Sequence, residues 1–348
     1  MLYYSNPDKI FVGVKFRLAK VTTHDDAYGY PYGFDQSIQL RYSISQNAFS
    51  TLYDGTFYQL LGRWNVFVNG YYDWMIWTNF FGLGNDTRKV NNLSYYRLST
   101  GEFAGDIGIN RIFAEHHHVN MDINVQGIEV FNKQGTFVSD SFINERAYYF
   151  EHHIYTGLRA NYTYQNVNDP NVPTRGIMFY AGGGYTVNVS ETNKSFASYN
   201  GILQLYVPLI RKFSLALKAG VSGISGNPEF YQYVSVGGPM TIRGYLRDRF
   251  WGNVAFYNTN ELRYITDFNV HPIRGKVGLL ALFDDGRVWI NENSTTLHSA
   301  YGGGLLLAPF NKFTGVISYA VSPEGGIVQV RVSKLLSEPK DNQLPTHR

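Results

Sequence analysis

The 348-residue chain carries a formal net charge of +3, no cysteine, 44% hydrophobic residues and 16% charged ones. So small a charge leaves no electrostatic footprint for nucleic acid, the missing cysteines exclude disulfides and thiolate metal sites, and nowhere do the ~18 apolar residues of a spanning helix run together. A charged fraction below the ~25% of soluble domains, beside 28 Tyr and 24 Phe, instead suits an all-β chain that stands in lipid with aromatic girdles.

In chain order, Leu2-Tyr3-Tyr4-Ser5 before the turn Asn6-Pro7-Asp8 reads as the tail of a first, truncated strand. Strands are then predicted near 10–19, 36–45, 50–60 and 64–74, followed by 101–112, 117–131, 149–166 and 175–188. The last seven fall near 196–209, 213–224, 254–266, 276–285, 300–308, 313–321 and 326–334. Successive side chains on a strand face opposite sides, so a wall between lipid and a wet bore demands strict alternation. Ile10, Val12, Val14, Phe16 and Leu18 alternate with Lys15 and Arg17, and Ile38, Leu40, Tyr42 and Ile44 with Gln39, Arg41 and Ser43. Val119, Met121, Ile123 and Val125 alternate with Asn120, Asp122, Asn124 and Gln126; Ile154, Leu158, Ala160 and Tyr162 oppose His153, Arg159 and Asn161. Phe213, Leu215, Leu217 and Ala219 oppose Ser214 and Lys218, and Val328, Val330 and Val332 oppose Gln329 and Arg331. A sandwich core has no room for so many mid-strand cations, whereas a polar bore accepts each of them.

Fifteen runs and one truncated strand make sixteen, the even number that single-chain bacterial barrels adopt. By parity the tight turns Leu61-Gly62-Arg63 and Arg211-Lys212, and the segment 167–174 with Pro170 and Pro173, lie on the periplasmic side, and the long loops 79–100, 132–148 and 225–253 lie outside. The barrel is expected over 1–336 and a polar tail over 337–348. Met1 is followed by tyrosines and a turn rather than by a basic and apolar leader, so a mature or excised chain is expected, with residues or a periplasmic domain preceding it.

One loop carries a distinctive motif: Gly237-Gly238-Pro239-Met240-Thr241-Ile242-Arg243-Gly244-Tyr245, set before the last five strands. Ile242-Arg243-Gly244-Tyr245 resembles the arginine-glycine-aromatic signature in the sixth extracellular loop of the BamA/TamA outer-membrane assembly superfamily, which includes the surface antigens and the two-partner secretion transporters. Leu282-Phe283-Asp284-Asp285-Gly286-Arg287-Val288-Trp289 resembles the family segment on the thirteenth strand, where an inward aspartate precedes a glycine by two positions. Pro173-Thr174-Arg175-Gly176 is similar to the family's periplasmic turn before the ninth strand. The resemblance covers essentially the whole barrel. It implies a loop of nearly thirty residues folded into the lumen, an arrangement that costs ordering entropy and needs a strong partner inside.

Alternation turns Val277, Leu279, Ala281 and Phe283 to lipid, so Asp284 faces inward and is the expected partner of Arg243 through charge-assisted bonds. Glu261, which shares the inward face with Arg263, is the competing partner. Gly244 is expected to allow close backbone approach, Tyr245 to pack on the inner wall, and Leu282, where the family often has an aromatic, to loosen the contact beside the arginine. Whether Arg243 only plugs and stiffens the barrel stays open at this point. At the closing seam between first and last strands, Gly325-Gly326 is expected to weaken pairing. The last strand ends in Leu335-Leu336 before the tail, without the family's usual aromatic carboxyl terminus.

No catalytic residues, cofactor or metal are expected. His24-Asp25-Asp26 and Asp284-Asp285 form no nucleophile-and-base pair. Of His116-His117-His118 and His152-His153, only His116 and His118 could share a face, with no third ligand. The resemblance implies a bacterial outer-membrane barrel that inserts outer-membrane proteins or translocates polypeptide. Its expected partners are lipid and lipopolysaccharide, unfolded client polypeptide, and a periplasmic helper domain or accessory proteins. The alternative is a membrane anchor or export pore for a fused upstream enzyme. Phe80-Phe81-Gly82-Leu83-Gly84-Asn85-Asp86 resembles a loop of family members joined to phosphoesterase- or patatin-like domains.

Overall fold

The computed structural model describes residues 2–5, 9–21, 32–44, 47–90, 92–142, 146–290, 294–311 and 314–333. The turn at Asn6-Pro7-Asp8, the His24-Asp25-Asp26 run, Leu335-Leu336 and the tail 337–348 lie outside the described residues.

Alternating sequence becomes alternating burial. The first wall strands are β1 (Leu2–Ser5), β2 (Lys9–Val21), β3 (Tyr32–Ser43), β4 (Ala48–Leu61) and β5 (Trp64–Asn79). They continue with β6 (Arg97–Phe113), β7 (His117–Val130), β8 (His152–Val167), β9 (Gly176–Asn188), β10 (Phe196–Pro208) and β11 (Phe213–Gly226). Two three-residue strands, β12 (Val234–Val236) and β13 (Phe250–Gly252), pair with each other inside the loop after β11. The wall then closes its run with β14 (Val254–Val270), β15 (Ile273–Trp289), β16 (His298–Pro309), β17 (Thr314–Ser322) and β18 (Gly325–Ser333). Sixteen strands form one antiparallel meander in chain order, β12 and β13 excepted. β1 and β18 are the ends of that order, and no ladder joins them among the described residues.

The result is the transmembrane β-barrel that the pattern predicts. Phe16, Ile44, Leu158, Leu279 and Val328 stand on the outer face, each more than half exposed, while Ser43, Asp122, His153, Glu261 and Asp284 are buried toward the bore. Among the described residues no helix is long and apolar enough to cross a membrane. Tight turns gather at one end of the wall, for instance Gly62 after β4 and Arg211, at φ +48°, after β10. The long loops gather at the other, and two short helices, α1 (Phe137–Ser141) and α2 (Arg146–Tyr149), sit in the loop before β8.

The long loops are not free coils. Phe80, Leu98, Ile128, Val130, Val138, Phe230, Tyr231 and Trp251 form a buried cluster that roofs the loop end. Tyr148 donates its hydroxyl to Glu229 at 2.7 Å; burial and the adjacent carboxylate raise the Tyr148 hydroxyl far above its ordinary value, so it stays a donor. Asn85 bonds both the N–H and the C=O of Val288, at 2.9 and 2.6 Å, and so completes the end of β15 as a neighbouring strand would. Arg249 ties three elements: its guanidinium meets Glu324 at 2.7 Å, the Thr87 carbonyl at 2.6 Å, and the faces of Phe81 and Phe250 at 4.6 and 4.5 Å.

Candidate functional site

Loop 227–253 leaves the roof and drops its motif into the bore between β11 and β18. A glycine-rich turn starts the descent, with Thr241 Oγ1 accepting the Gly237 N–H at 2.8 Å and the Ile242 carbonyl accepting the Gly238 N–H at 3.1 Å. Arg243 is then only 2% exposed and faces two carboxylates. Its main-chain N–H and its Nε both donate to Asp284 Oδ2, at 2.9 and 2.7 Å, and its Nη2 donates to Oδ1 at 2.7 Å. Its remaining terminal nitrogen, Nη1, donates to Glu261 Oε1.

The register explains why one guanidinium reaches both acids. Glu261 on β14 stands opposite Leu282 on β15, two residues from Asp284 on the same face, so the carboxylates are diagonal neighbours within reach of one planar fork. Asp284 and Glu261 are therefore joint partners, not the alternatives that the sequence left open. The two acids differ in their other support. Asp284, 0% exposed, takes its bonds from Arg243, whereas Glu261 also accepts from Arg263 Nε at 2.7 Å and lies 3.8 Å from Arg331 Nη2. Leu282 is buried beside this clamp, and with three bonds between Arg243 and Asp284 the contact is not loosened there.

The residues flanking Arg243 fit the wall by shape. Gly244 has φ +87°, and a Cβ built on it would stand 2.9 Å from the Ala300 methyl and 3.4 Å from Ala320, so any larger residue would push the loop off β16 and β17. Gly286 plays the reciprocal part on the wall: a Cβ there would meet Ile242 Cδ1 at 2.8 Å. Tyr245 is buried against Phe250 and His298, with ring centroids 5.4 and 5.6 Å away. The Tyr245 hydroxyl donates to the Ser299 carbonyl at 3.3 Å. Ser322 donates to the Gly244 carbonyl at 2.8 Å and Gln329 to the Tyr245 carbonyl at 2.9 Å; Lys218 reaches the Met240 carbonyl at 2.9 Å. The motif thus bonds to β11, β14, β15, β16, β17 and β18, which are the last six wall strands.

Other candidates separate. Gly325 and Gly326 open β18 in an unbroken ladder with β17, Ser322↔Gly325 and Val321↔Gly326. Gly326 has no side chain because the Tyr319 ring lies over it, where a Cβ would stand 2.1 Å from the hydroxyl oxygen. The expected weakening concerns the seam of β18 with β1, where no ladder occurs among the described residues. Asp285 stands on the opposite face of β15 from Asp284, beside Asn258, so the two acids cannot act together and only Asp284 belongs to the bore. His117 bonds Tyr162 at 2.7 Å and stacks on Phe113, and no cluster of three or more ligating residues occurs among the described residues.

Arg263 lies on the inward face with Glu261 as expected, whereas Arg249 and the loop hairpin were not anticipated from the sequence. The signal for the last was present: Tyr231, Phe250 and Trp251 are too apolar for an exposed loop.

A model of the Omp85 superfamily domain matches residues 23–308. No curated protein matches the chain. Among solved structures, BamA from Haemophilus ducreyi lacking POTRA domains 1-3 gives a TM-score of 0.68 at 14% identity, covering 93% of this chain and 67% of that one. CdiB from Acinetobacter baumannii gives 0.50 at 11% identity over 93% of this chain and 56% of that one; CdiB from Escherichia coli gives 0.49 at 12% identity over 92% and 62%. The chain thus spans less than two thirds of either CdiB and about two thirds of the BamA fragment. At these identities the BamA likeness speaks for the fold, and the fold it describes is the wall found here. With the family match spanning most of its length and an arginine-glycine-tyrosine loop seated in the bore, the chain belongs to the Omp85 superfamily.

Proposed function

We propose that this chain is the barrel of a bacterial outer-membrane protein that inserts outer-membrane proteins or translocates polypeptide, with no covalent chemistry of its own. The observation that carries the reading is the clamp of Arg243 on Asp284 and Glu261, which fastens loop 227–253 across the last six wall strands. A loop so held turns β11 and β14–β18 into one braced unit. The main-chain groups of β18 that do not face β17 offer a template to an incoming strand, by the same edge pairing that soluble proteins suppress. Client polypeptide would enter from the periplasm, brought by a helper domain or accessory protein, with lipid and lipopolysaccharide around the wall. In this reading Ile242, Arg243, Gly244 and Tyr245 are the loop motif, Asp284, Glu261 and Gly286 its wall partners, and Gly325-Gly326 mark the hairpin beside the seam.

The test is reconstitution of the full chain into liposomes with an unfolded barrel client. Faster acquisition of protease-protected client than in empty liposomes supports the reading, and equal rates in both contradict it. The rival role, an anchor or export pore for a fused enzyme, is separated by the coding sequence upstream: helper repeats favour assembly, a hydrolase domain favours the rival.

A further inference from the structure

The motif Pro173-Thr174-Arg175-Gly176 spans the end of the β8–β9 turn and the first residue of β9. The turn 168–175, which contains Pro173, Thr174 and Arg175, joins β8 to β9 at the end of the wall opposite loop 227–253, and it does not project away from the barrel. It is braced internally: Asn168 Oδ1 accepts the N–H groups of Thr174 and Arg175, each at 3.0 Å, and Asp169 Oδ1 accepts those of Asn171 and Val172, at 2.8 and 3.1 Å. So stiffened, it reaches across the bore to strands that are not its neighbours. Val172, 1% exposed, sits among Ile265, Leu280, Leu306, Ala308 and Val316 of β14 to β17. These residues form one contiguous inward patch, since Ile265 and Leu306 both pair with Gly278 while Leu306 pairs with Val316. An apolar patch facing a polar bore needs a cover, and Val172 supplies it.

Polar bonds ring that seat. Lys276 meets Asp169 at 2.7 Å, Thr314 donates to the Asn171 carbonyl at 2.8 Å, and Asn171 donates to the Asn311 carbonyl. Arg263 donates from Nη1 to the Pro173 carbonyl at 3.3 Å, while its Nε and Nη2 hold Glu261 Oε2 at 2.7 and 2.6 Å. Glu261 in turn holds Arg243. A continuous chain of contacts therefore runs from the Pro173 carbonyl through Arg263, Glu261 and Arg243 to Asp284.

We propose that segment 168–175 is a second plug, seated by Val172 at the turn end of the bore and coupled through Arg263 and Glu261 to the Arg243 clamp of the loop that enters from the other end. Unseating the turn withdraws the Pro173 carbonyl from Arg263, frees that guanidinium to shift, and loosens Glu261 under Arg243. By linkage the effect runs equally in reverse. The proposal goes beyond the insertion or translocation reading and does not rest on it.

The test is hydrogen exchange on the full chain in nanodiscs, which needs no client. Val172→Asp places a carboxylate in the apolar seat. Exchange of 168–175 is expected to rise at least tenfold and that of 238–246 at least threefold, with the distant β6–β7 ladder unchanged. Faster exchange of 168–175 with 238–246 unaltered would overturn the coupling, and a segment 168–175 already exchanging at unprotected rates in the unmodified chain would overturn the plug. Should Val172→Asp fail to fold, Val172→Ala is read by the same criteria with smaller changes. Arg243→Lys, which weakens the clamp from the other end, is expected to raise exchange in 168–175; no change there would again overturn the coupling.

Discussion

Two segments enter this barrel from opposite ends and settle on the same stretch of wall, β14 to β17, but they are held by different physics. The loop motif is held by charge: one guanidinium, two carboxylates and a shell of main-chain carbonyls, all out of water. The turn 168–175 is held by shape: one valine in an apolar notch, with partly exposed polar bonds at the rim. A buried ion pair gains little over an apolar contact when intact, yet it fails sharply when one partner is lost, because the other charge is then stranded. An apolar seat fails by degrees, in proportion to the methyl groups removed. The loop should thus behave as an all-or-none fastening and the turn as a graded one.

The sharpest break of that contrast is Arg243→Ala. It strands Asp284 and removes one of the supports of Glu261, so the seated loop should lose about 3–5 kcal/mol, read as a lower unfolding temperature in detergent and as faster exchange over 238–246. The two acids should differ. Asp284→Ala removes the group that takes three bonds from Arg243, whereas Glu261→Ala leaves the Arg243–Asp284 fork intact, so the first should lower the unfolding temperature more. Equal losses would mean that the acids share the arginine evenly.

Val172→Ala sharpens the other half of the comparison. Losing two methyl groups from the notch should cost about 2 kcal/mol of seating, visible as faster exchange over 168–175 with the barrel still folded. Gly244→Ala tests whether shape also matters in the charged site. A residue at φ +87° with its Cβ 2.9 Å from Ala300 should cost about 1–2 kcal/mol of loop seating, and an unaltered melting curve would show that the loop has slack.

The smallest effect is a pH dependence of the turn. Burial tends to raise the Asp169 carboxyl, but the Lys276 ammonium and the amides of Asn171 and Val172 outweigh it and hold the carboxyl below its ordinary 3.8. A depressed carboxylate contributes stability above its unfolded-state value and loses it as pH falls through the folded one. Exchange over 168–175 should therefore quicken only below about pH 4. The pair lies at the partly exposed rim, so the change should stay within about 1 kcal/mol and shrink in Lys276→Met, where only the amides of Asn171 and Val172 still hold the carboxylate.

The wall was legible in the sequence because lipid imposes a local rule: every second residue must be apolar, and that rule survives without knowledge of neighbours. The runs around Ile123, Leu158, Leu279 and Val330 all stand on the outer face. The partnership of Arg243 and Asp284 could be anticipated from the inward phase of one strand and a family-like motif. Its sharing with Glu261 could not, because it depends on the offset between β14 and β15, which puts Glu261 opposite Leu282. The seat of Val172 was invisible for the same reason: Ile265, Leu280, Leu306 and Val316 come from four strands, and only the register gathers them. Why position 326 is a glycine was hidden in the same way, because the Tyr319 ring that lies over it comes from the neighbouring strand.

Whether Arg243 and Asp284 fasten the loop as a unit is read out by a double-mutant cycle on thermal unfolding in detergent, built from Arg243→Ala, Asp284→Ala and the pair. Strong coupling is expected, with the double variant about as stable as either single one. Losses that add to within about 0.5 kcal/mol would contradict it.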